Sequence, residues 1–217
     1  MTRTTIARPA RRRASVAAAI AGTAALALAL AGCVTVNTGG SNGPGGMPIG
    51  DLPDGVNQAD AMFTMMMIPH HEQAIEMSEL VLGRDDIDPE IVELAEQIIA
   101  AQDPEIELME EWLDDWGLPS MGGAMGGGHG GGHGGDGGDG PGGMMSDDDL
   151  DAIEAAEGDE AERLYLEGMI EHHEGAIDMA QDVLDDGEST DVAELAETII
   201  ETQQVEIDLM DDLLAER

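Results

Sequence analysis

The sequence predicts an all-α fold, a four-helix bundle of up-down-up-down sense made from two copies of one helical hairpin. Three observations predict it. The first is an internal repeat: Phe63, Met67, His70, His71, Glu72, Ala74, Ile75 and Met77 stand 102 residues before Tyr165, Met169, His172, His173, Glu174, Ala176, Ile177 and Met179. After a one-residue deletion the offset is 101, and Leu94, Ala95, Ile98, Ile99, Gln102, Glu105, Ile106 and Met109 match Leu195, Ala196, Ile199, Ile200, Gln203, Glu206, Ile207 and Met210. A repeat of this density marks the structural unit. The second observation is spacing: apolar residues recur every three or four positions in both segments of each unit, as one buried helix face requires. The third is that neither hairpin can bury its stripe alone, so the two must pack together.

In chain order, Arg3, Arg8, Arg11, Arg12 and Arg13 precede an apolar run from Ala14 to Ala31 that closes on Leu30-Ala31-Gly32-Cys33. Residues 1–32 therefore read as a lipoprotein signal peptide. Cys33, the sole cysteine, would become the lipidated N-terminus of a protein anchored to the outer face of the cell membrane. Residues 33–56, rich in Gly, Pro, Asn and Ser, read as a flexible tether with a mean reach of roughly 25 Å. The folded domain covers 57–216. Its first hairpin, 57–116, turns at Gly83 to Pro89, and Pro89 suits a first helical turn. Pro69, inside the first helix, is expected to kink it. A linker rich in Gly, His and Met spans 117–146. The second hairpin, 147–216, starts with Ser146 and Asp149 as a capping pair for a short helix. It breaks at Gly158-Asp159 and turns at Asp185 to Thr190.

Every histidine lies in one of three places: His70-His71, His172-His173, and the linker pair His129 and His133. On a helical wheel each adjacent pair flanks the apolar stripe. Counting outward from the turns puts His70 and His71 level with Gln102, and His172 and His173 level with Gln203. Each glutamine is the one polar residue of its stripe. A polar layer inside the bundle follows, with Met67, Met77, Met169 and Met179 one or two turns away. Two readings stay open. The layer is a hydrogen-bonded device that holds the helices in register, or it is a metal site. As a metal site, its primary ligands would be the four helix histidines, with those four methionines as soft ligands and Gln102 and Gln203 behind them. Imidazole with thioether favours copper, Cu(I) above all, and zinc is the next candidate. Met66 could join His70 and Met77, whereas Gly168 takes its place in the second unit, so two sites would differ. Met109, Met210 and Met62 read as core filler.

In the linker, Met121, Met125, His129 and His133 recur every four residues among glycines. Glycine forbids a stable helix there. The segment reads either as a plain spacer or as a mobile metal trap.

Charge narrows the partners. The chain holds 47 acidic and 8 basic residues; without residues 1–32, the remaining 185 keep 3 basic and 47 acidic residues, a formal charge of −44. Such a surface repels phosphate backbones, so nucleic acid is not an expected partner. The membrane is expected only through the lipid anchor, and no protein partner is indicated. The surrounding negative charge is expected to raise the imidazole pKa values. No nucleophile with its base and no phosphate loop is evident, so catalysis is not expected.

Met67-Ile68-Pro69-His70-His71-Glu72-Gln73-Ala74-Ile75-Glu76-Met77 and its copy from Met169 to Met179, with Gln-x-x-Glu-Ile-x-x-Met at Gln102 to Met109 and Gln203 to Met210, resemble the motifs of the family catalogued as domain of unknown function 305. The likeness covers about residues 57–215. It implies a ferritin-like four-helix fold, secretion or lipid anchoring and, for some members, copper binding and tolerance. A ferritin-like fold raises the alternative of a di-iron oxidase, which needs Glu-x-x-His on two helices and a Glu on each of the others. Here Met67 and Met169 precede the histidines, and no inward carboxylate is expected. A third alternative is a cell-surface structural or interaction protein whose histidines only form the polar layer.

Overall fold

The computed structural model describes residues 52–120 and 141–217, which are helical wherever they are regular. The segment expected to be a signal peptide, Cys33, most of the expected tether, and linker residues Met121, Met125, His129 and His133 lie outside the described residues. Five helices follow in order: α1 Gln58–Val81, α2 Pro89–Trp116, α3 Asp147–Ala155, α4 Asp159–Asp186 and α5 Thr190–Ala215, with a single 3₁₀ turn at Pro141–Gly143 before α3. None of these helices is long and apolar enough to cross a membrane.

The starts are where local chemistry puts them. Asn57 caps α1 in a capping box with Asp60, and Asp88 caps α2 with Pro89 in its first turn. Ser146 and Asp149 form the expected box on α3. Each side chain accepts from a backbone N–H that the helix leaves orphaned. Gly117, in the left-handed region at φ 69°, closes α2. α1 runs as one helix through Pro69.

The apolar residues form two clusters, each drawing on all four long helices. One gathers Met77 and Val81 of α1, Ile91 to Ile98 of α2, Tyr165 and Met169 of α4, and Ile207 to Leu213 of α5. The other gathers Phe63 to Ile68 of α1, Met109 and Leu113 of α2, Ala176 to Val183 of α4, and Val192 to Ile199 of α5. The C-terminal half of α1 thus meets the N-terminal halves of α2 and α4 and the C-terminal half of α5. The sense is up, down, down, up, which corrects the expected up-down-up-down order. Polar contacts at both ends agree. Arg84, after α1, donates to the Ala156 carbonyl at 2.7 Å, and Arg217, after α5, pairs with Glu162 of α4 at 2.7 Å. At the far end the Asn57 amide donates to the Asp186 carbonyl, and buried Asp60 accepts from the N–H groups of Glu188 and Ser189. The C-terminus of α2 and the N-terminus of α4 therefore lie at opposite ends of the bundle. Before α3, the segment from Gly142 to Met145 packs against α4 near its middle, at Gly168, Glu171 and Gly175.

Candidate metal centre

Between the two apolar clusters lies a layer of polar side chains. His71, His172 and His173 are fully buried, and His70, Gln102 and Gln203 are 2 % exposed. The expected layer is present, and the repeat places it: equivalent histidines on α1 and α4 meet at the same level as equivalent glutamines on α2 and α5. His70 and His172 lie face to face, with ring centroids 3.7 Å apart and planes tilted by 35°. His172 and His173 are 6.3 Å apart. Met67, Met77 and Met169 are fully buried and Met179 is half-buried, while Met66 and Met62 are about 40 % exposed. Met66, expected beside His70 and Met77, is thus partly at the surface, and Met62 is not core filler.

Three of the four imidazoles are anchored by oxygen. His71 Nε2 lies 2.7 Å from Glu105 Oε2, His173 Nε2 lies 2.7 Å from Glu206 Oε2, and His70 Nε2 lies 2.6 Å from the Gly142 carbonyl. A carbonyl and an ionised carboxylate only accept. Each Nε2 therefore carries a proton, and on a neutral ring the Nδ1 is left with a lone pair. Those Nδ1 atoms, both nitrogens of His172, and both amide atoms of Gln102 and Gln203 are buried without a hydrogen-bond partner. Among the described residues, every such orphaned buried side-chain atom belongs to this layer. Each costs about 1–3 kcal/mol in a protein interior, so a purely structural layer would be expected to pair them.

Carboxylate, imidazole and open lone pair in series is the arrangement that orients histidine for a metal ion and raises its basicity. Glu105 and Glu206 were missed as site residues, and they correct the expectation that no carboxylate reaches the layer. The signal was present in the repeat: each follows its glutamine by three residues, nearly one turn, on the same face. These carboxylates hold histidines instead of standing three residues before them, so the di-iron pattern is still not met. As they stand, no three histidine, cysteine or acidic side chains among the described residues converge in a way that could hold an ion.

Burial also sets the charge state. His70 is pushed down to about 3, first by loss of hydration and then by its histidine neighbours, against the raising effect of the Gly142 carbonyl. His172 is held well below the ordinary imidazole value by burial and by His70, His173 and His71, against a weaker raising effect of the His70 backbone. The expected upward shift from the acidic surface does not occur at these two rings, because desolvation outweighs distant, screened charge. Both rings are neutral at physiological pH, the form that ligates.

A duplicated helical hairpin pair closing on a buried imidazole and amide layer defines the class of protein. The chain belongs to the DUF305 family, "Domain of unknown function (DUF305)", which it matches over residues 60–214. Among solved structures it is similar to a DUF305 fragment from Deinococcus radiodurans, with 27% identity over 75% of this chain and 99% of that one at a TM-score of 0.62. It is also similar to a DUF305 protein from Streptomyces coelicolor described as secreted, with 36% identity over 73% and 93% at a TM-score of 0.61. A third is CopM in its Cu(II)-bound form, with 32% identity over 72% and 96% at a TM-score of 0.59; CopM has also been solved with Cu(I) and with Ag. No curated protein matches the chain.

Proposed function

We propose that this protein is an extracytoplasmic copper-binding protein, tethered to the membrane through Cys33, that sequesters the ion or hands it on. His70, His71, His172 and His173 are the primary ligands, and Met67, Met77, Met169 and Met179 supply thioether donors or line the site. Gln102 and Gln203 stand behind them. The observation that carries this reading is the set of open imidazole nitrogens buried together, three of them on rings anchored by oxygen at Nε2. Likeness to CopM, solved with copper, supports it. Neutral imidazole with thioether suits Cu(I) best, and zinc second. The single long crossover between the hairpins is the connection that ferritin-like bundles use, and we assign the fold to that group. The role is binding, with copper as cargo.

The test is a competition titration of the chain from residue 51 onward with Cu(I) and with Zn(II), against a chromophoric chelator. It is repeated on two variants of near-native volume, His70→Gln with His172→Gln and His71→Gln with His173→Gln, each checked by circular dichroism. The tightest Cu(I) site is expected to be lost or weakened at least tenfold in both. Unaltered affinity and stoichiometry in folded variants would refute the assignment. Replacing Met121, Met125, His129 and His133 by Ser, which keeps the length of the connection, should lower capacity and leave the tightest site intact; loss of that site would move it to the linker.

A further inference from the structure

The crossover from α2 to α4 does not merely pass the imidazole layer; it is fitted onto it. Gly142 and Gly143 both have φ near +75°, a conformation that side chains rarely adopt. This lets the strand of Gly142 to Met145 lie flat on α4. Gly143 sits on the Glu171 carbonyl and the His172 backbone. The Gly142 carbonyl occupies the space of the missing side chain at Gly175, where any Cβ would collide with it. Met145 Sδ occupies the space at Gly168, 2.5 Å from where a Cβ would stand, with Met77 Cε 3.5 Å from the same point. From the opposite side Gln73 clamps the backbone of Met145 twice, donating to its carbonyl at 2.9 Å and accepting from its N–H at 2.8 Å.

The repeat shows that this seat is one-sided. Gln73 and Gly175 are equivalent positions, as are Met66 and Gly168. In one copy the residue reaches out to hold the strap; in the other it vanishes to admit it. The strap then places the Gly142 carbonyl on His70 Nε2, the part that Glu105 and Glu206 play for His71 and His173. At His172, the repeat partner of His70, neither nitrogen makes a hydrogen bond of good geometry, and the His70 backbone acts on it more weakly than its histidine neighbours do.

We propose that the strap is a positioning element of the metal site: the Gly142 carbonyl fixes His70 in the Nε2–H tautomer and turns its Nδ1 lone pair into the layer. A connection between the hairpins thereby completes a site that the helices alone leave with two anchored rings. The inference rests on the copper-binding reading above. It makes the two copies of the motif unequal, with the His70 half pre-oriented and the His172 half not.

The test uses Gly175→Ala, which unseats Gly142, and Gln73→Ala, which releases Met145, each in the otherwise intact protein. Nitrogen-15 NMR of the imidazoles in the metal-free protein reads the tautomer directly. His70 is expected to be Nε2–H in the parent and a mixture in both variants, while His71 and His173 stay unchanged. Cu(I) affinity of the tightest site should fall about 10- to 100-fold, the usual effect of removing an outer partner of a ligating histidine. Hydrogen exchange at the Met145 amide should lose protection in both variants, verifying that the strap has lifted. A lifted strap with unchanged His70 tautomer and unchanged Cu(I) affinity would overturn the proposal and leave the copper reading standing. Failure of the copper reading itself shows separately, as tight binding that survives the histidine-to-glutamine pairs above.

Discussion

Gln203 and Gln102 test whether the polar layer exists for stability or at its expense. Each amide is 2 % exposed, and neither its oxygen nor its nitrogen has a partner. An unpaired buried polar group costs about 1–3 kcal/mol, whereas an apolar group of similar shape removes that cost. Gln203→Leu should therefore stabilise the metal-free protein by about 2 kcal/mol, and Gln102→Leu by a similar amount. At about 2–4 °C per kcal/mol for a domain of this size, each raises Tm by roughly 4–8 °C. The assay is urea unfolding followed by circular dichroism, read as a shift in midpoint at constant slope. The same variants should show a smaller rise in Tm on adding Cu(I), because a residue kept at a cost to stability is expected where function needs it. Loss of 1 kcal/mol or more in the metal-free Leu variants would refute the reasoning. It would show that the glutamines are paired and structural.

The buried histidines predict an acid sensitivity. With folded pKa values below the unfolded one, near 3 for His70 and well below 6.5 for His172, their contribution is fully present above about pH 6.5. It is lost as pH falls from there toward the folded values. At pH 5 the His70 ring alone removes about 2 kcal/mol and His172 acts in the same direction, which thermal melts at pH 7 and pH 5 in the metal-free protein would detect; equal Tm values would contradict it. Glu206→Gln and Glu105→Gln should keep the fold and weaken Cu(I) binding by about 10- to 100-fold in competition titrations. Asp60→Ala strands the N–H groups of Asn57, Glu188 and Ser189 and should cost about 2–4 kcal/mol in urea unfolding. Arg217→Ala leaves Glu162, whose side chain is 7 % exposed, without its guanidinium at 2.7 Å; a loss of about 1–3 kcal/mol is expected in the same assay.

Much of this architecture was legible because the chain repeats itself. Periodicity placed all the long helices, Pro89 marked the start of α2 and Ser146 that of the short α3, and the one polar residue in each apolar stripe, Gln102 and Gln203, identified the layer. Helix direction was not legible. A linker from Gly117 to Ser146 is long enough, at about 3.3 Å per residue, either to turn in place or to run back along a helix of about 42 Å. The division of the apolar residues into two clusters and the end contacts of Arg84, Arg217, Asn57 and Asp60 decide between these. Glu105 and Glu206 were visible as repeated residues, yet a wall of acidic side chains hides two that turn inward. The pKa direction at His70 and His172 was misjudged for a related reason: composition counts charge, whereas burial decides which charge is felt. The strap was out of reach of pattern reading, because its meaning lies in two absent side chains, Gly168 and Gly175, facing a loop.

The central claim is that the ion sits in the layer between the two apolar clusters. Diffraction from crystals of the copper-loaded protein, collected on both sides of the copper absorption edge, tests it most directly. The account predicts an anomalous peak within bonding distance of imidazole nitrogen from His70, His71, His172 or His173, with the Nε2 anchors on Glu105 and Glu206 retained. Peaks confined to surface carboxylates or to the 121–140 linker, with the four imidazoles unchanged, would contradict it.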